Sequence, residues 1–367
     1  MPSSTSSSKM IGISRVIPDQ NWGVLCLLSA VLLVVVVGAW ELVCRYREYR
    51  PTLNDNPYLW ANQRALIEKD PEAVVLIGSS RMLFDINLDV LENGFGKRPI
   101  QLATVGTNPG PYLEHLARHP TFHGTLLIGI TPGLFYAPAG PPIENPVKNL
   151  TYYKNWSPSE KIGGYLGILL QERLAFIQQE DLSLVQLLKN IDLPNRPSVI
   201  LPPKLPPYFY TIERDRQVRM IPYNTPRSLI TMENVRSGWL PLFTPPPFPP
   251  DWTHDQVMAA VQGMVKDRLE KTKTWVEQFR AKGGKVVFIR FPSTGGLYEL
   301  ENKLTPRDPF WEGILQATGC PGIHHEDHES LRGFDCPEWS HLTAEDAEEF
   351  TRRLIPLVKD ALVQQSN

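Results

Sequence analysis

Four short segments of this sequence gather the residue types of nucleophilic catalysis. They are Gly78-Ser79-Ser80-Arg81, Val105 to Gly110 (with Gly106 and Asn108), Ile130-Thr131-Pro132-Gly133, and Glu338-Trp339-Ser340-His341-Leu342. A serine hydroxyl must lose its proton as it attacks an acyl carbon. A neutral imidazole can take that proton, and a carboxylate can fix the ring's tautomer and steady the imidazolium that forms. The Glu338-x-x-His341 spacing puts a carboxylate and an imidazole near one another on a loop and the first turn of a helix. A further cluster, Cys320, His324, His325, Asp327, His328 and Cys336, offers metal-ligand types but lacks the Cys-x2-Cys frame of common zinc sites. A loop closed by a Cys320–Cys336 disulfide, with solvated histidines, is the simpler reading of that cluster. A metal-dependent hydrolase is the weaker one.

The first three of these segments fall where an open α/β sheet would place a site, beyond the carboxyl ends of strands, and the Glu338–Leu342 segment lies just before the last helix. Ala73 to Ile77 (AVVLI) is a short apolar run ending in Gly-Ser-Ser, the form of a buried parallel strand. Pro99 to Thr104, Thr125 to Ile130 and Lys285 to Arg290 repeat it, with a helix expected from Pro111 to Arg118. Val257, Val261, Val265, Leu269, Val276 and Phe279 recur at helical spacing, so His254 to Ala281 reads as an amphipathic helix ended by Gly283-Gly284. A last helix starts near Thr343, where Thr343 and Asp346 have capping-box spacing, and Pro356 is expected to kink it. Strands alternating with helices imply a mainly parallel sheet between two helical layers. The fold class expected is therefore α/β, a three-layer α/β/α sandwich.

Residues 20–40 carry no charge and are long enough to cross a bilayer as a helix, with Trp22 and Trp40 at the interfacial positions. The organisation expected is a disordered tail (1–19), a transmembrane helix (20–40), a helical neck (41–70), the first half of the α/β domain (71–136), an insertion (137–251) and the second half (252–367). The insertion holds PPIENP, LPPKLPP and TPPPFPP among Tyr208, Phe209, Tyr210, Trp239, Phe243, Phe248 and Trp252, many of the chain's 35 prolines. So many aromatics argue for an ordered cap rather than a disordered linker. The chain has 367 residues, 42% hydrophobic and 21% charged, with a formal net charge of −2. That balance fits a globular core and does not fit a nucleic-acid binder.

On the strand-end motifs and their order, the chain resembles the SGNH (GDSL-like) hydrolase superfamily. It is most similar to membrane-anchored members that work beside membrane-bound O-acyltransferases in acylating extracytoplasmic polymers. The resemblance covers roughly Ala73 to Thr131 and Lys285 to Leu362. It implies Ser80 as nucleophile, His341 as general base, Glu338 as the carboxylate that orients it, and Gly106 as an oxyanion donor. Asp335 is a possible substitute for Glu338. The family's Gly-x-Asn-Asp stretch is here Gly129-Ile130-Thr131-Pro132, so Thr131 or Asn108 would have to supply the missing donor. Loss of one such donor costs on the order of 100- to 1,000-fold in rate. Arg81 and Arg290 could bind an anionic or acyl-bearing substrate, or serve in surface ion pairs.

The function expected is ester hydrolysis or acyl transfer on an extracytoplasmic glycan, needing no cofactor and no metal. A membrane-bound acyltransferase partner is implied by the resemblance alone. The alternative is a catalytically inactive module that binds glycan or scaffolds an envelope assembly. Lys9 and Arg15 precede the span, while Arg45, Arg47, Arg50 and Arg64 follow it, which by the positive-inside rule would leave the large domain in the cytoplasm. Long domains translocate largely regardless of charge. The cysteine pair and the resemblance both favour the extracytoplasmic, periplasmic side.

Overall fold

The computed structural model describes residues 20–177, 210–221, 232–245 and 247–365. The tail expected to be disordered, and the LPPKLPP run with Tyr208 and Phe209, lie outside them. The chain divides into two units, one ending at Val43 and one beginning at Cys44. The first contributes nearly all of α1 (Trp22–Tyr46), whose most apolar stretch has a mean hydropathy of 2.7 and no buried residue. Among the described residues it is the one helix long and apolar enough to cross a membrane, a property that signal sequences share.

The second unit opens with a correction. The expected neck is not one continuous helix. After Tyr46 the chain leaves helical geometry, with Glu48 at φ 69° and Pro51 close behind. It re-enters at α2 (Pro57–Leu66), capped by the Asn56 side chain on Leu59 N–H with Pro57 at the first turn. Leu59, Trp60 and Ala61 of α2 are core residues.

The remaining elements are β1 (Val74–Ile77), α3 (Ser80–Phe84), α4 (Leu88–Phe95), β2 (Ile100–Gln101), α5 (Gly110–Ala117), β3 (Thr125–Gly129) and α6 (Pro132–Phe135). Then come α7 (Pro141–Asn155), α8 (Pro158–Gln171), β4 (Tyr210–Ile212), β5 (Val218–Met220) and α9 (Met232–Phe243). The last group is α10 (His254–Arg280), β6 (Lys285–Arg290), α11 (Gly295–Leu304), α12 (Arg307–Phe310), α13 (Glu312–Thr318), β7 (Gly322–His324) and α14 (Ala344–Gln364). β1, β2, β3 and β6 fall on the expected apolar runs. β7 and the β4–β5 hairpin were not anticipated. Pro356 lies inside α14, which runs on past it as one helix.

The five-stranded sheet has the order β2-β1-β3-β6-β7, parallel throughout. Its side chains alternate between two cores, as a pleated strand with both faces covered requires. Val74, Leu76, Leu127, Val287 and Ile289 point into one core with Leu83, Leu91 and Phe350. Val75, Ile77, Leu126, Val286 and Phe288 point into the other with Trp60, Leu113 and Phe279. The order reverses between β1 and β3, the point at which doubly wound sheets open a crevice.

The described parts of the insertion pack into the body. Tyr210, Ile212, Val218 and Met220 of the hairpin join the first core. Arg216, wholly buried, makes a two-pronged bond to Asp55 (2.9 and 2.7 Å) and donates to the Gln101 and Ala103 carbonyls.

Candidate active site

Gly78 ends β1 where the neighbouring chain leaves no room. A Cβ there would lie 2.7 Å from Met82 Cβ and 3.1 Å from Gly129 O. The loops after β1 and β3 can therefore meet, and Ser79 and Thr131 join them through a hydroxyl–hydroxyl bond of 2.6 Å. The loop after β2 closes on the same point, since Thr104 N–H donates to Gly78 O at 3.2 Å. Ser80 then begins α3.

The Glu338–His341 segment is shaped before it is gripped. Trp339 takes φ 80°, rare for a bulky residue, and so turns the chain sharply between Glu338 and His341. Glu338, fully buried, accepts from His341 Nδ1 at 2.8 Å and from the His341 backbone N–H, both at Oε1. Its Oε2 accepts from the indole N–H of Trp239 on α9. Arg236, one turn earlier on α9, donates to the Pro337 carbonyl. The insertion thus braces the imidazole–carboxylate loop at two places.

Helix α3 holds the other side of that loop. Arg81 Nε donates to Ser340 O at 3.2 Å, the Phe84 ring stacks on the His341 ring with centroids 4.4 Å apart, and Leu342 N–H donates to Asp85 Oδ1 at 2.9 Å. Residues 340, 341 and 342 are therefore each held by α3 or its C-cap. Ser80 heads the same helix, four residues before Phe84, and i, i+4 residues share a helix face. Among the described residues no hydrogen bond links Ser80 Oγ to His341, a bond that is often loose in an enzyme without its substrate. Ser80 is 7% exposed and His341 1%, with Trp239 also edge-on to the imidazole at 5.7 Å, so the pair lies under cover.

The other predicted residues are placed as follows. Gly106 has φ 66°, and open space surrounds the position a Cβ would take. Thr131 is buried with its hydroxyl on Ser79. Asn108 does not take up the role of an oxyanion donor expected of it, because its side chain is engaged elsewhere. Its amide nitrogen donates to the Leu134 and Phe135 carbonyls and its oxygen accepts from Gly110 N–H, which makes it a loop clamp. Asp335 is exposed, and Glu338 holds the imidazole.

Arg81 and Arg290 are neither surface ion pairs nor open to a substrate. Both are buried on Glu301, Arg81 by two bonds (3.1 and 2.7 Å) and Arg290 by one (2.8 Å), and Ser293 Oγ adds a fourth at 3.0 Å. Burial pushes the Glu301 carboxyl up, but the two guanidiniums outweigh it and hold the carboxyl at about 2.

The expected Cys320–Cys336 disulfide is absent, and the sheet explains why. Both are buried thiols, Cys320 in one core and Cys336 in the other. Among the described residues no three His, Cys, Asp or Glu side chains group to hold a metal ion. His324 and His325 instead stack on each other (centroids 5.0 Å apart), and burial lowers them to about 3 and about 4.

Sequence reasoning missed the parts supplied from a distance: Phe84, Asp85, Glu301 and the role of Trp239. Burial drives the Asp85 carboxyl well above its usual range, only partly offset by Leu342 N–H and Arg81. Its second oxygen has no hydrogen-bond partner among the described residues. Nearby at the same edge of the sheet, a cleft of about 590 Å³ is lined by Ser293, Thr294, Gly295, Tyr298, Glu326 and Phe334, among others. It shares a wall with the Glu338–His341 loop, because Thr294 N–H donates to Trp339 O at 3.0 Å. No protein-family model matches the chain, and no curated protein matches it.

Proposed function

We propose that this chain is a membrane-anchored serine esterase or O-acyltransferase of the SGNH-hydrolase type, acting on an extracytoplasmic polysaccharide. The observation that carries the reading is the grip of α3, the helix led by Ser80, on residues 340, 341 and 342, while Glu338 binds His341 Nδ1. Ser80 Oγ attacks the acyl carbonyl and passes its proton to His341 Nε2. Glu338 holds the Nδ1–H tautomer and steadies the imidazolium. The Ser80 and Gly106 N–H groups, with the Thr131 hydroxyl, hold the oxyanion. The tetrahedral intermediate collapses by breaking the bond to the donor's oxygen, which leaves with the imidazolium's proton. His341 then takes a proton from water or a sugar hydroxyl as it attacks the acyl-enzyme, and returns that proton to the departing Ser80 oxygen. A membrane-bound acyltransferase would supply the acyl group if transfer is the outcome.

A catalytically inactive module is the second reading, favoured by the engagement of Thr131 with Ser79 and the depth of His341. Fluorophosphonate labelling of the full chain in detergent separates the two. Labelling of the wild type, lost in Ser80→Ala and down on the order of 10⁶-fold in His341→Ala, is the expected result. A folded wild type that stays unlabelled, with Trp239→Ala added to open the cover, would leave the binding module standing.

A further inference from the structure

Helix α8 is apolar on the side that faces away from the protein. Between Lys161 and Glu172 it carries no charge: Ile-Gly-Gly-Tyr-Leu-Gly-Ile-Leu-Leu-Gln. Its inner face is fixed. A Cβ on Gly164 would fall 2.4 Å from the Tyr58 ring, Ile168 packs against the core, and Gln171 Oε1 accepts from Asn54 N–H at 2.9 Å. Its outer face shows Ile162, Tyr165, Leu166 and Leu170, at 63%, 53%, 53% and 52% exposure. A surface helix ordinarily has a charged outer face, and one that is apolar all round is covered by protein or by lipid.

The chain around α8 says which. Arg173, two residues beyond the helix, accepts at its carbonyl from Arg45 Nη2 at 3.0 Å. Arg45 lies in the last turn of α1, directly after the apolar run. Arg45, Arg47, Arg50, Lys161 and Arg173 are all exposed. Of the acids nearby, Glu172 is engaged by Arg214 and Glu160 by the Ser157 cap of α8, while Glu48 stands between Arg47 and Arg50. An apolar helical face with several cations around it, bonded through Arg173 to the Arg45 that follows the apolar run in sequence, fits a bilayer with anionic headgroups, into which such helices sink their apolar side chains. A second copy of the chain would set these cations against each other.

We propose that α8 is an interfacial helix, seated through Ile162, Tyr165, Leu166 and Leu170 in the bilayer that α1 crosses. The proposal rests on α1 spanning that bilayer and is independent of the Ser80–His341 reading. The test is spin labelling of the full chain in phosphatidylcholine–phosphatidylglycerol nanodiscs, comparing collisions with oxygen and with a water-soluble nickel chelate. Leu166→Cys carries the label on a Cys26→Ser background, where Cys44, Cys320 and Cys336 are buried. Val31→Cys in α1 and Lys359→Cys on α14 serve as references. Leu166 should match Val31, with oxygen access several-fold above that of Lys359 and nickel access several-fold below it. Nickel access equal to that at Lys359 would overturn the proposal. So would low access to both reagents, which means a protein cover, and a short dipolar distance between two Leu166 labels would identify that cover as a second copy. A nickel-accessible Val31 would remove the span and the proposal together, whatever Ser80 does.

Discussion

Helix α3 reaches two buried carboxylates. Through Arg81 it grips Glu301, and through Phe84 and Asp85 it grips the loop on which Glu338 binds His341. Both carboxylates are enclosed, and both have several hydrogen-bond partners. The partners differ in kind. Glu301 faces two guanidiniums, which stay charged at any ordinary pH, so nothing in that knot can pass a proton. Glu338 faces an indole N–H, a backbone N–H and an imidazole, a ring with both a donor and an acceptor nitrogen when neutral. On the proposed function, burial of charge is a poor guide to chemistry in this protein. The presence of a group beside the carboxylate that can gain and lose a proton is the better one.

The largest effect that would sharpen the contrast is at the knot. Glu301→Ala leaves two cations buried without a counter-charge and should cost about 3–5 kcal/mol of stability, read from denaturant unfolding. The wild-type knot should also weaken in acid. Its folded carboxyl is depressed, so its contribution is whole above the unfolded value of about 4.3 and fades as pH falls through about 2. An unchanged midpoint in Glu301→Ala would mean that the knot holds nothing together.

A smaller effect is expected at Trp239→Phe. The ring over His341 is kept, but Glu338 Oε2 loses its donor, a loss of about 1–3 kcal/mol for a buried acceptor. If thermal unfolding does not move, α9 does not brace the Glu338–His341 loop.

The gentlest effect is a slope with pH. Asp85 has its folded value raised by burial, so its contribution is whole below the unfolded value of about 3.9 and is lost as pH rises towards the folded value. Asp85→Asn keeps the acceptor for Leu342 N–H without the charge. The wild type should lose stability relative to it as pH rises above about 3.9. Parallel pH curves for the two would place Asp85 with the permanently charged groups.

What the sequence made legible follows from range. β1, β3 and β6 are continuous apolar runs, and parallel strands buried on both faces have to be. β7 is three residues (Gly-Ile-His), and the β4–β5 hairpin has strands of three residues within a proline-rich stretch, so neither offers a period to read. Glu338 and His341 are visible as a pair because three residues separate them. Trp239, Asp85 and Glu301 reach their partners across long loops, and no spacing rule marks such contacts. The cysteine pair misled because closeness along the chain was taken for closeness in space, whereas a sheet divides the two sulfurs. With no bridge formed, the argument from an oxidising compartment loses its footing, and the resemblance alone favours the extracytoplasmic side.

That division of sulfurs has a use in the study of motion. Cys320 lies in the layer built on α5 and α10, and Cys336 lies in the layer built on α4 and α14. A thiol shut inside a core reacts with an alkylating reagent only while its surroundings open, so its rate of modification in the native state measures how often that layer comes apart. The protein carries such a clock in Cys320 on one side of its sheet and in Cys336, alongside Cys44, on the other, with no engineered residue. Comparing their rates tells whether the two helical layers breathe in step or separately.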